Sequence, residues 1–244
     1  MVRLAIIGDI HGNLEALEAT LASIDREGVD GVFCLGDVVG YGPNPNECVA
    51  ALRERAIPCL LGNHDAAACG LEEPEDFNPV ARAALDWTRE SLAEEHRGFL
   101  RALPERTLLP DGGPLLVHGS PLHRDDYLFT PIDAAAAFQV LEARNLKLCF
   151  FGHTHVPSLF AYRTVVEIKP AGTVPLDLED IYLVNGGGVG QPRDHDPRAG
   201  YVIYDGAQHS VRFYRVDYPV ESTANKILAA GLPLELATRL YFGL

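Results

Sequence analysis

Positive charge is scarce in this chain of 244 residues. Lysine occurs only at Lys147, Lys169 and Lys226, and 20 Lys and Arg stand against 34 Asp and Glu, giving a formal net charge of −14. Such a chain repels polyanions and shows no basic stripe, which argues against a nucleic-acid partner while leaving room for a local cationic pocket. Cysteine is sparse and odd in number: Cys34, Cys48, Cys59, Cys69 and Cys149, with no CxxC spacing. That excludes a disulfide framework and reads as small buried hydrophobes in a reducing cytosol. No stretch approaches the roughly 20 apolar residues a membrane span needs. The opening run Met1–Ile7 is too short for a signal peptide and meets Gly8-Asp9 at once. The expectation is a cytoplasmic protein with no membrane partner.

What is present is a large apolar fraction, 47%, in a length that one α/β domain of up to about 250 residues accommodates. The chain reads as a single domain, 1–244, with an α/β part over 1–157, a mainly β part over 158–219 and a helical tail over 220–244. Strands are predicted at 3–7, 32–35, 57–61, 115–117 and 146–151. Helices are predicted from Asn13, which caps Leu14, Leu17, Leu21 and Ile24 at helical spacing, and near 46–55, 79–102 and 132–144. This β-α-β-α-β order argues for parallel strands. The runs 158–162, 165–168, 181–184, 201–204 and 211–216 are short, β-rich and expected to be antiparallel.

Each strand of the first part ends in a polar, glycine-marked loop. These are Gly8-Asp9-Ile10-His11, Gly36-Asp37, Gly62-Asn63-His64-Asp65, His118-Gly119-Ser120 and Gly152-His153-Thr154-His155. Ligands of open α/β sheets bind outside the carboxyl ends of the strands, so adjacent strand ends would deliver these side chains to one place. Asp9 and His11, like His153 and His155, are two apart, and an extended chain would point each pair to one side. The donors are carboxylate, imidazole and amide with no thiolate, a set that suits Mn, Fe, Zn or a similar divalent ion. They exceed what one four- to six-coordinate ion needs, so two ions sharing a carboxylate is the economical reading. Any one motif taken alone could be turn chemistry; two His at i and i+2 after an apolar strand are hard to motivate by packing.

The series resembles the calcineurin-like metallophosphoesterase superfamily over about residues 1–160. The match is closer to a small bacterial branch of phosphodiesterase- and phosphatase-like members, on Gly36–Pro45, His118-Gly119-Ser120-Pro121 and Gln191-Pro192-Arg193-Asp194. The resemblance implies an α/β fold of two packed β-sheets flanked by helices, a four-layer sandwich. It implies that Asp9, His11 and His155 hold one ion, that Asn63, His118 and His153 hold the other, and that Asp37 bridges them. It assigns a bridging hydroxide as nucleophile, His64 as the acid for the leaving oxygen and Asp65 as the group that orients His64. Protein phosphatases carry an Arg soon after the Gly-Asp motif; Gly40-Tyr41-Gly42 stands here instead and argues against that activity.

The expectation is therefore a hydrolase of phosphoesters, small or carried on a phosphoprotein, with two divalent ions. The alternatives are a non-catalytic scaffold of the same fold, which would have lost ligands or the histidine, and a phosphodiesterase or nuclease acting on nucleotides. Arg193 and Arg198 sit in a Pro-bounded polar loop, where either guanidinium could grip a phosphate as a fork or serve a structural salt bridge. Tyr41, His123, Arg124 and Asp125 fit a packed turn and exposed loop charge better than substrate contacts.

Overall fold

Alternation decides the first strand. In β1 (Arg3–Ile7) Leu4 and Ile6 join one apolar cluster while Ala5 and Ile7 join another, so both faces are buried. The computed structural model describes residues 2–74, 77–110, 112–163 and 172–244. α1 (Leu14–Glu27) starts where the Asn13 side chain accepts from the Ala16 N–H and stops at Gly28, left-handed at φ 63°. β2 (Gly31–Cys34) pairs parallel to β1. Then follow α2 (Pro45–Glu54), α3 (Asn63–Ala68), α4 (Pro79–Ser91), α5 (Glu94–Arg101), β3 (Arg106–Leu108), β4 (Leu115–Val117), α6 (Ala135–Ala143) and β5 (Leu148–Phe150). The rest comprises β6 (Ser158–Ala161), β7 (Thr173–Pro175), β8 (Tyr182–Asn185), β9 (Ala199–Asp205), β10 (Ser210–Val216), α7 (Val220–Ala229) and α8 (Leu234–Leu240).

Two mixed sheets result, ordered β2-β1-β9-β10-β7 and β3-β4-β5-β8-β6. Their inner faces share one core, where Ile6, Val202 and Phe213 meet Leu116, Phe150 and Val184. The outer face of the first sheet packs on α1, α2, α4 and α5 through residues such as Leu17, Leu52, Leu85 and Leu100. The outer face of the second packs on α6 through Phe138 and Leu141. Helix, sheet, sheet, helix is the expected layering. α7 and α8 cover the edge of the first helical layer, with Ile227, Leu236 and Leu240 against Tyr41 and Ala84. Among the described residues no helix is long and apolar enough to cross a membrane.

Four expectations change. The run 57–61 is no full strand: Cys59 makes a single parallel bridge to Cys34, because Pro58 has no N–H to donate and the chain then turns into α3. The segment 79–102 is two helices, not one. Asn46 breaks it, accepting from the Ala93 N–H and donating to the Ser91 carbonyl, both at 2.8 Å. β8 runs parallel to β5 although its neighbours in sequence are antiparallel. The donor-bearing strand ends divide between the two sheets, β1 and β2 in one and β4 and β5 in the other. The predicted run 165–168 lies outside the described residues.

Candidate metal centre

The loops after β1, β2, β4 and β5 and the start of α3 meet at one end of the sandwich, and their backbones hold one another. The N–H of Asp9 donates to the Gly36 carbonyl at 3.0 Å and that of His11 to the Asp37 carbonyl at 2.9 Å. The Gly190 N–H closes the other side on the Asp9 carbonyl at 2.9 Å. Asp9, His11, Asp37, His153 and His155 all take left-handed φ values, between 49° and 66°. Asp9 and His11 therefore converge through turned backbone, not through the extended geometry their spacing suggests. A non-glycine residue there costs about 1–2 kcal/mol, so the surrounding structure must enforce it, as it does at functional sites. Glycine permits the close approach: a Cβ on Gly62 would strike the Asp37 carboxylate, and one on Gly190 would strike the Ile10 carbonyl.

Two donor groups form, sharing one residue. Asp9, His11, Asp37 and His155 each place a donor atom within 4.8 Å of the others, and so do Asp37, His118 and His153. Asn63 Oδ1 lies 3.1 Å from His118 Nε2. His11 Nδ1, His118 Nδ1 and His155 Nδ1 face the carbonyls of Val39, Leu35 and Gln191 at 3.2, 3.0 and 2.6 Å. A carbonyl only accepts, so each Nδ1 carries a proton; burial keeps the His11 and His155 rings neutral, and each turns a bare Nε2 inward.

That arrangement asks for cations. His11 Nε2 and His155 Nε2 face each other at 3.1 Å, two lone pairs with no proton between them. Asp37 Oδ2 and His153 Nε2 are buried without a hydrogen-bond partner among the described residues. Burial pushes the Asp9 carboxyl up to about 7, helped by Asp37 and opposed by His118. Asp37 stays well below the usual carboxylate range, because His118, His64 and His11 outweigh the burial that would raise it. Burial would lower His118, yet Asp37 and Asp9 carry it up to about 9. Burial takes His64 down to about 4 and His153 to about 3. Unpaired buried donors of this kind are costly unless something positive meets them. The oxygen and nitrogen donor set fits hard or borderline divalent ions, and the buried His/Asp cluster is suited to divalent-metal binding.

The remaining predicted residues separate. His64 is 5% exposed, and its ring lies between those of Tyr41 and Phe77, with both centroids at 4.5 Å. Its Nδ1 is sealed in without a partner among the described residues. Asp65 does not orient it. The Asp65 oxygens accept the N–H groups of Val39 and Gly62 at 3.0 and 3.2 Å, tying the Asp37 loop to the start of α3. The two loop arginines also part company. Arg193 lies over the Tyr41 ring at 5.9 Å with Nε buried and without a hydrogen-bond partner among the described residues, and its charge adds to the burial that depresses His11, His64 and His155. Arg198 instead grips Asp196 through Nε and Nη2 at 3.0 and 2.7 Å, so its fork is spent on a salt bridge. Arg124 is no exposed loop charge either: its side chain, 9% exposed, pairs with Glu72, Glu105 and Asp125.

Sequence reasoning passed over two residues. Tyr127 stacks on His153 with centroids 3.9 Å apart; nothing in its local sequence marks it. Asn185, 1% exposed, donates to the Gly152 carbonyl and to Thr154 Oγ1 and accepts from the Gly187 N–H. It stands at the carboxyl end of β8, where the strand-end rule could have found it.

A family model described as "Calcineurin-like phosphoesterase superfamily domain" matches residues 2–208. A metallophosphoesterase from Sphaerobacter thermophilus superimposes with a TM-score of 0.86 at 40% identity, covering 100% of this chain and 99% of that one. An uncharacterised protein of Methanocaldococcus jannaschii is 36% identical over 98% of each chain. A symmetrical bis(5′-nucleosyl)-tetraphosphatase of Hamiltonella defensa is 32% identical over 35% of this chain and 36% of its own length.

Proposed function

The chain belongs to the calcineurin-like phosphoesterase superfamily and is a phosphoester hydrolase; on that premise we propose that it works through two divalent ions bridged by Asp37. The observation that carries the reading is the sharing of Asp37 between two donor groups, with Oδ2 buried near His11 Nε2 and His118 Nε2, at 3.5 and 3.4 Å, and without a hydrogen-bond partner among the described residues. Asp9, His11 and His155 would hold one ion with Asp37, and Asn63, His118 and His153 would hold the other. Mn, Fe and Zn suit these donors. When bound, a pair of such ions draws charge from phosphoryl oxygens and acidifies water at the centre.

The chain's own groups do the rest. His64 serves the leaving oxygen as proton donor. Burial holds its pKa low, and a phosphate dianion beside it would favour the charged ring. With Nδ1 sealed in, Nε2 is the nitrogen left to meet substrate. Tyr41 and Phe77 fix the ring's plane. Asp65 acts one step back, by holding the loop that carries Asp37. Arg193 sets its guanidinium charge beside a phosphate oxygen. A net charge of −14 argues against a nuclease, and a small phosphoester met in the cytoplasm is the substrate proposed.

Metal analysis at saturation, with anomalous scattering at the absorption edges of Mn, Fe and Zn, should give close to two ions per chain. A hydrolysis screen of metals against aryl mono- and diesters, nucleotides and phosphopeptides should then find turnover. A single ion with Asn63 and His118 turned away would overturn the dinuclear reading.

A further inference from the structure

A cleft of about 420 Å³ opens beside Asn63 and His153, within the size range of small-ligand sites. Phe77 and Tyr127 both line it. Phe77 also lies against His64, and Tyr127 against His153. Aromatic surface continues outward through Phe129, parallel to Tyr127 with centroids 5.5 Å apart. Tyr127 and Phe129 remain 47% and 55% exposed. Stacked rings left half open beside a reaction centre are apolar surface that a flat ligand can cover.

Among the described residues, the charged groups lining the cleft are carboxylates: Glu72, Glu73 and Asp125. Arg124 holds Glu72 and Asp125 from behind, and Arg82 and Arg89 hold Glu73. The arginine donors are thus engaged, and the carboxylates offer acceptors alone. A hydroxyl or amino group entering the cleft finds partners there. A phosphate finds three carboxylates there and, among the described residues, no arginine that is not already paired. Phosphate charge belongs on the other flank, where Arg193 lies over Tyr41.

We infer that this cleft seats the organic group of the ester and selects a flat, uncharged ring bearing hydroxyl or amino donors, with a nucleoside as the fitting class, over a group that carries a further phosphate. This rests on the phosphoester reading. With the phosphoryl group over the donor cluster and the leaving oxygen at His64, the substrate continues past Phe77 into the cleft.

Saturation-transfer NMR with an uncharged nucleoside and the metal-free protein probes the cleft independently of hydrolysis. The base protons should receive saturation from the native chain and from Tyr127→Phe, and lose most of it with Tyr127→Ala. With the metal-loaded protein, kcat/KM for phosphate esters of a nucleoside should exceed that for the nucleoside triphosphate. Tyr127→Ala should lower the ratio of nucleoside ester to methyl ester turnover by roughly 5- to 100-fold, the worth of one base–aromatic stack, and Tyr127→Phe should restore it. Glu72→Gln combined with Asp125→Asn should narrow the gap to the triphosphate. Equal saturation in Tyr127→Ala, or a native preference for the triphosphate, overturns the inference. A chain that hydrolyses no phosphoester with any divalent metal overturns the phosphoester reading instead, and the NMR result still decides the cleft.

Discussion

The two donor groups that share Asp37 are built differently. In the first, Asp9, His11 and His155 are 0%, 1% and 1% exposed, and both imidazoles give an Nδ1 proton to a backbone carbonyl. In the second, Asn63 and His153 are 8% and 4% exposed and line the open cleft. No ring nitrogen of His153 meets a carbonyl among the described residues; the stacked Tyr127 holds that ring. An imidazole anchored to a carbonyl keeps its tautomer and direction with or without an ion, whereas stacking fixes only its plane. The first group is a closed floor, and the second is where the donor cluster borders the open cleft.

The harshest way to break this comparison is to remove what the groups share. Asp37→Asn leaves an amide where one carboxylate would neutralise two cations, and an amide cannot. Turnover should fall by at least about 10²–10³-fold, the scale of losing one aimed electrostatic group, and the metal content should fall with it. Metal analysis beside steady-state kinetics checks both. Near-normal values of either would remove Asp37 from the bridge.

The next largest effect should leave both groups intact. His64 adjoins the centre without belonging to either donor group. His64→Ala should keep the metal content and lower turnover by roughly 10²–10⁴-fold, the usual worth of a positioned acid. The loss should be greatest for alkyl esters and shrink for nitrophenyl esters, whose leaving groups need little protonation. An equal loss across leaving groups, or a missing ion, would recast His64 as a ligand.

The donor residues were legible because they follow apolar runs and all but His155 sit beside a glycine, a local pattern that survives without coordinates. Their convergence across two sheets was not, because the division of β1, β2, β4 and β5 depends on pairing with β8 and β9, far along the chain. The same distance hid the partners. Asn46 divides α4 from α5 across 45 and 47 residues. Asp65 follows His64 directly, yet its carboxylate meets Val39, 26 residues away. Arg193 and Arg198 looked alike in one loop, and only the partner Asp196 tells them apart. Spacing reports which residues can meet; it does not report which polar groups are already satisfied.

Asn185 offers a way to loosen both groups at once, from outside them. Its amide donates to Gly152 and Thr154, on either side of His153. Asn185→Ala should weaken metal binding by about 10–100-fold, the usual cost of losing an outer partner, in a chain that still folds. Asn185→Asp should not rescue it, because both bonds to the 152–154 loop are donated by N–H. Calorimetric metal titration with circular dichroism checks this. Unchanged affinity would mean that the loop is held by its own left-handed turns.

The smallest effect sharpens the comparison without a mutation. If the first group is a floor and the second a boundary, the two ions should leave at different rates. His11 and His155 each have a carbonyl anchor, while of His118 and His153 only His118 has one. One missing anchor corresponds to about a tenfold loss of affinity, the low end for an outer partner. Removal by a chelator, followed through the ions released and the activity left, should therefore resolve into two phases separated by about tenfold. The early phase should already abolish turnover, because the ion it removes borders the cleft. His153→Ala should delete that phase and spare the late one, whereas His11→Ala should disturb both, since its ring lies 3.5 Å from the Asp37 oxygen the two groups share. A single phase, or an early phase that survives His153→Ala, would show that Asp37 couples the ions too tightly for the difference in anchoring to matter.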